Sequence, residues 1–267
     1  MVDVYIIRAV IAIFILAINA SIAGSFTIFK DITFLVAGAA HAALAGAALA
    51  IALSLFSIVS IDPMAGAIIF AVLIAIMAAN AKKTNVAIGI GFAGSMSLAV
   101  LFISMIREQA ARVWGLLFGD LLLLTDHDII VMATVTIFIL MLVIYFHREF
   151  LFISFDSEGA LASGINVRLF NYILLSIIAI STVIIMKGVG AILVYAMLVA
   201  PAAAANEVAK SVMQVFSYAA LIALLAGFMG LATSFYIKVS PGAIASLIAT
   251  LVYFISILVK RAKFLEG

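Results

Sequence analysis

One imidazole stands alone in the run AGAAHAALAGAALA, residues 37–50, where His41 is the sole side chain able to take a proton or bind a metal. A neutral imidazole ligates a divalent cation through whichever ring nitrogen carries no proton. The other concentration of ligand-type groups is Asp126, His127 and Asp128, at the start of an apolar segment. Such a trio offers oxygen and nitrogen donors to a cation, and the same residues at a membrane boundary also serve as solvated or helix-capping groups. Cysteine is absent, which removes disulfides and thiolate metal sites. No H-E-x-x-H, G-x-S-x-G, P-loop or dinucleotide fingerprint is present, so the chain shows no means of hydrolysing ATP by itself and no catalytic residue. Within the apolar segments His41 and Asn19 are the main polar groups, too few for a relay of carboxylates across a membrane.

The elements that must position these groups follow from composition. Hydrophobic residues make up 68% of the 267 residues and charged residues 10%, with a mean hydropathy of +1.43. That is more apolar surface than a water-soluble core could hide, and it predicts an all-α, polytopic membrane protein with a single transmembrane domain over residues 1–267. Nine segments approach or exceed the roughly 20 apolar residues of a span: 4–29, 32–61, 63–79, 86–106, 129–146, 169–186, 188–205, 212–237 and 240–259. Several are short and 32–61 is long enough to tilt or break, so eight or nine spans are expected. Val4 to Phe29 is too long and continuous for a cleaved signal and reads as the first span. With nine spans and the Lys260, Arg261 and Lys263 cluster in the cytoplasm, inside loops hold nine basic residues against five outside. An eight-span count would move the N-terminus inside. The formal charge of +2, scattered over loops, gives no footprint for nucleic acid.

Small residues set the close contacts. Gly38, Ala42, Gly46 and Ala50 recur every fourth position and form a seam for another helix, and the expectation is that two copies of the chain meet around one path. His41, beside the seam, lies on a permeation path or hydrogen-bonds a neighbouring helix; an unpartnered imidazole in hydrocarbon is costly. Gly89, Gly91 and Gly94 weaken one helix, and Gly188, Gly190 and Pro201 another, with Pro201 freeing the carbonyl of Met197. Such interruptions line transport routes, and they also occur as ordinary glycine and proline enrichment. Residues 107–128 have an apolar centre too short and too closely bounded by charge for a span and read as a helix that lies in the interface or dips partway, with Trp114 as anchor. The long polar connection 147–168 contains a short amphipathic helix, capped by Asp156, opened by Ser157 and Glu158, and ended at Gly164. A helix that short needs something to dock against, which points to a cytoplasmic partner.

In order and spacing these blocks resemble the membrane permease subunits of ABC-type zinc and manganese uptake systems, the metal ABC-3 family. FLVAGAAHAALAGAA resembles F-L-G-D-A-L-S-H-A-x-L-P-G-V-A, with the family's histidine on His41 and glycine on Gly46, its aspartate on Ala37, serine on Ala40 and proline on Ala45. AIGIGFAG, WGLLFGDLLLLTDHD, FDSEGALASGI, VGAILVYAMLVAPAAAA and SPGAIASLIAT match further family blocks, the VGAILVYAMLVAPAAAA block most distinctively. The resemblance covers nearly the full length. It implies a homodimeric permease in the cell membrane, two ATP-binding subunits that hold ATP and Mg, an extracytoplasmic metal-binding protein, and transported zinc or manganese. It also implies a cytoplasmic coupling segment around 154–168, with Glu158, Ala160 and Gly164 in the aligned positions. A permease for a metal chelate and a non-transporting scaffold are the alternatives.

Overall fold

The computed structural model describes residues 4–106 and 110–266, with the side chains of 110–112, 114 and 261–266 outside the described set. The side chains of Trp114, Arg261 and Lys263, named above as anchor or topology residues, therefore fall outside it. The first rod is α1 (Val4–Asn19), a π-helical turn (Ala20–Gly24) and α2 (Ser25–Phe29). Then come α3 (Phe34–Leu55), α4 (Pro63–Asn80), α5 (Thr84–Met105), a short α6 (Ala110–Phe118), α7 (Asp126–Tyr145), α8 (His147–Phe155) and α9 (Ser157–Ala162). The chain closes with α10 (Val167–Val189), α11 (Val194–Val208), α12 (Val212–Ile237) and α13 (Pro241–Glu266), and no strand occurs among the described residues. Among the described residues eight helical rods, Val4–Phe29 counted as one, are long and apolar enough to cross a membrane, and α11 is a shorter apolar helix.

Local chemistry sets the helix ends. Asp62 caps α4, its Oδ1 accepting from the amides of Met64 at 2.8 Å and Ala65 at 3.2 Å, with Pro63 in the first helical position where no donor is lost. Thr125 and Asp128 form a reciprocal capping box on α7. The segment 32–61 does not continue as one helix: α3 stops at Leu55, and Ser57 turns the chain at φ 56° toward the Asp62 cap. The second break also differs from the expectation. Gly188 lies inside α10, which runs on to Val189; the chain reverses at Gly190, with φ 95°, where a side chain would meet the carbonyls of Leu117 and Phe118. In return, the amides of Ala191 and Ile192 donate to the carbonyls of Leu116 and Leu117 at 2.9 and 3.3 Å, so the end of α6 and this reversal satisfy each other. Irregular backbone inside a membrane requires such pairing.

Two expected weak points are not breaks. Gly89, Gly91 and Gly94 sit within an uninterrupted α5, and Pro201 is buried inside a continuous α11. The interruption lies instead in the first rod, where Asn19 donates from Nδ2 to the Ile15 carbonyl and to Thr136 of α7, both at 2.8 Å, just before the π-helical turn. That turn packs on α11, with Gly24 against the carbonyl of Leu198.

α3 is the centre of the bundle, touched by α4, α5, α10 and α11. Its small-residue seam is occupied within the chain: Gly46 faces the backbone of Gly66 on α4, and Gly38 faces Ile88 on α5. The close approach foreseen for a second copy is therefore made by α4 and α5 of the same chain. A Cβ at Gly46 would collide with the Gly66 carbonyl oxygen, whereas one at Gly89 would meet nothing within 4 Å. Gly46→Ala should therefore lower the thermal stability of the detergent-purified protein by about 1–3 kcal/mol, the usual cost of overpacking, while Gly89→Ala in the single chain does not lower it, since its Cβ enters open space within a helix. Equal melting temperatures for the two variants would contradict this packing.

Candidate metal-contact and coupling sites

His41 projects from α3, half-buried, and its Nδ1 lies 2.9 Å from the carbonyl oxygen of Ala37, one turn earlier. A carbonyl only accepts, so this bond places a proton on Nδ1, and in the neutral ring the lone pair is on Nε2. The ring is held edge-on to Phe92 of α5, centroids 4.6 Å apart at 69°, and Phe34 packs on Phe92 in a tilted arrangement, centroids 5.2 Å apart. A backbone acceptor on one nitrogen and an aromatic wall on the ring are what orient a ligating histidine. Ala37, which bonds only through its backbone here, is almost fully buried and brings no second donor.

The trio at the start of α7 does not converge. Asp126 is exposed and paired with Arg8 of α1 at 2.6 and 2.7 Å. Asp128 is buried, takes part in the capping box and pairs with Lys187 of α10. His127 is exposed between them. Successive helical residues point about 100° apart, and both carboxylates are committed to cations. Among the described residues no group of three His, Asp or Glu side chains is placed to hold a metal. Asp126 and Asp128 thus tie the bundle end formed by α1, α7 and α10, and Asp128 shares in the cap of α7. Neither Lys187 nor Arg8 was foreseen as a partner, since each lies far along the chain from its carboxylate.

At the opposite end α9 stands where its local signals place it. Asp156 Oδ1 accepts from the Gly159 amide at 2.8 Å, and Glu158 lies in the first turn. At the other end the Gly164 amide donates to the Leu161 carbonyl at 3.0 Å and the Ile165 amide to the Ala160 carbonyl at 3.1 Å. This is a Schellman closure, and it needs the left-handed backbone that Gly164 supplies at φ 84°. Ala160 is the residue of α9 that turns inward and is fully buried, while Glu158 and Leu161 remain exposed. Six residues do not hold a helix in water unaided; α9 is held by its two caps and by contacts with α8 and α10. Just beyond it, Arg168 donates to Tyr172 Oη at 2.8 Å and to Asn80 Oδ1 at 3.0 Å, and Tyr172 also donates to Asn80, joining the start of α10 to the end of α4. This three-residue clasp left no mark in the sequence.

With this geometry in view, comparison with known proteins is direct. Residues 2–260 match the family model described as the ABC 3 transport family. The manganese transport system membrane protein MntC of Listeria innocua is 31% identical over 260 residues, covering 94% of this chain and 89% of that protein. The manganese import system permease protein ScaB of Streptococcus gordonii is 29% identical over 254 residues, covering 93% and 89%. Among solved structures, PsaBC from Streptococcus pneumoniae in complex with Fab superposes with a TM-score of 0.87 at 28% identity, covering all of this chain and 96% of that one. A helical bundle that superposes over the whole chain and a family match across nearly every residue have one reading: the chain belongs to the ABC 3 transport family.

Proposed function

We propose that this chain is the membrane permease subunit of an ATP-driven importer that moves a divalent metal ion, manganese or zinc, across the cell membrane. The observation that carries the reading is His41, whose Nδ1 is tied to the Ala37 carbonyl so that the Nε2 lone pair is presented from the central helix. The named manganese transporters among the relatives favour manganese. An imidazole with oxygen ligands suits manganese, and it suits zinc as well.

In this reading His41 makes a passing contact and the remaining ligands come from water or a second copy of the chain. Support for a second copy has moved from the α3 seam to α5, where Gly89, Ala93 and Ser97 recur every fourth position on the side turned away from α3 and α4. Small residues on a lipid-side face allow another helix to approach. Phe92, the wall of His41, neighbours this stripe. Two copies meeting along α5 would bring two imidazoles to one path. The α9 end is then cytoplasmic, together with Lys30, Lys82, Lys83, Arg148, Arg168, Lys210 and Lys260, in keeping with the positive-inside rule. There Asp156, Glu158, Ala160 and Gly164 form the element that docks on an ATP-binding subunit, one for each copy, and the metal arrives from an extracytoplasmic binding protein. A short helix with preformed caps and an exposed Glu158 suits a groove on such a partner.

Three variants test the reading. In proteoliposomes holding the permease, its ATPase and its binding protein, His41→Ala should cut manganese uptake at least tenfold at unchanged assembly. Loss of the hydrogen bond within α3 to the Ala37 carbonyl, about 1 kcal/mol net, would cost less. Ala37→Asp, placing a carboxylate one turn before His41, should slow release of bound metal. Unchanged uptake in His41→Ala contradicts a required contact, and uptake only in the presence of an added chelator would favour the chelate permease. For the coupling element, Glu158→Arg with Gly164→Leu should leave insertion intact while uptake is lost or the ATPase is released, because the second change forces a side chain into left-handed backbone. Normal uptake and normal ATPase retention in that double variant would show that α9 is not the docking element.

A further inference from the structure

A cavity of about 510 Å³ opens at the α9 end of the bundle, between the turn that follows α2, the start of α5, α10 and the first residue of α9. Its charged lining is Lys30, Lys83 and Asp31. Lys30 is half-buried, and its Nζ donates to one neutral acceptor, the Ile153 carbonyl at 3.1 Å. Among the described residues it is in no ion pair, although Asp31 lines the same cavity. Burial pushes the Lys30 ammonium below the usual lysine range, the mark of a charge with too little compensation. An ammonium in that position is stabilised by an anion close to it.

Two further features point the same way. α5 starts at the cavity wall with Thr84 and Asn85, and no side chain caps it, so its first amides and the positive end of its dipole face the opening. Asn171 of α10 also lines the cavity, and its Oδ1 is buried without a hydrogen-bond partner. That amide can accept from a hydroxyl or, turned over, donate to an anionic oxygen. A half-buried ammonium, a second lysine, free helix amides and an unpartnered amide are complementary to a tetrahedral phosphate with its several acceptor oxygens.

We propose that this cavity binds a phosphate group at the membrane face beside α9, carried by a phospholipid headgroup or by a small soluble phosphate. An occupant would touch α5, α10 and Ser157, the first residue of α9, and so would brace the short helix from inside. The inference does not depend on the transport reading, and its test needs no transport.

The full-length protein, stripped of lipid in detergent, is titrated with dihexanoyl phosphatidylglycerol, with inorganic phosphate and with a phosphate-free diacylglycerol, and binding is read from the melting temperature and from ³¹P resonances. A phosphate-bearing probe should bind and diacylglycerol should not. Lys83→Gln, an exposed change that leaves the fold alone, should weaken binding about fivefold, the usual effect of one lysine near an anionic headgroup, and Lys30→Gln should weaken it further. Lysine-dependent binding of phosphatidylglycerol alone identifies a lipid, and equally lysine-dependent binding of inorganic phosphate identifies the soluble source. Absence of binding by both phosphate probes, or binding unchanged in Lys83→Gln and Asn171→Leu, overturns the proposal; if Lys30→Gln does not fold, those two variants decide it.

Discussion

The contact on which the rest of the bundle depends is the backbone approach of α3 to α4 at Gly46 and Gly66. Lipid tails are as apolar as leucine, so transfer from water does not drive membrane helices together; close van der Waals contact does. Here each glycine leaves room for the other's carbonyl oxygen, and either Cβ would remove it. That approach draws in the alanines of α3, which are buried along almost its whole length. With α4, α5, α10 and α11 all packed against it, α3 has little freedom to turn. The direction of His41 is a consequence of that packing. Its ring emerges beside Phe92 because the seam fixes which side of α3 meets α5.

The bundle ends are tied differently from its middle. At one end charged pairs hold α1 to α7 through Arg8 and Asp126, and α10 to α7 through Lys187 and Asp128. The exposed pair contributes little, about 1 kcal/mol or less, whereas the buried Asp128 carboxylate would be left uncompensated without Lys187. At the other end the clasp of Arg168, Tyr172 and Asn80 joins α10 to α4. α9 leads directly into α10, α10 is clasped to α4, and α4 meets α3 at Gly46. A movement imposed on α9 therefore has a continuous packed route to the helix that carries His41, through elements that are stiff along their axes. In the reading proposed above, this is how work done by a partner at the cytoplasmic face reaches the metal.

What was legible in the sequence is what local chemistry decides. The caps of α9, Asp156 and Gly164, act on amides and carbonyls three to five residues away, so their meaning is contained in the local string. Apolar length located the spans, and α6 took the short helical form expected within 107–128. The errors came where tertiary partners decide. The seam of Gly38, Ala42 and Gly46 was correctly a close-approach surface, but nothing in the string says whether the approaching helix belongs to the same chain. The three glycines of α5 lowered local helix propensity without ending the helix, because backbone in an apolar surround has no alternative partner for its hydrogen bonds. The π-helical turn after Asn19 had no signature, since Asn19 is set by Thr136 on α7. Asp126 and Asp128 resembled ligands until Arg8 and Lys187 were seen beside them.

The central claim is that His41, oriented by the Ala37 carbonyl and Phe92, touches the transported metal through Nε2. The chain has three histidines, so a direct measurement is available: permease labelled with ¹⁵N-histidine, assembled with unlabelled partners and loaded with Mn²⁺, studied by pulsed electron paramagnetic resonance. The account predicts a ¹⁵N coupling to the manganese that disappears in His41→Ala and survives replacement of His127 and His147. Manganese held by the assembled transporter with no ¹⁵N coupling, or a coupling that persists in His41→Ala, would contradict it.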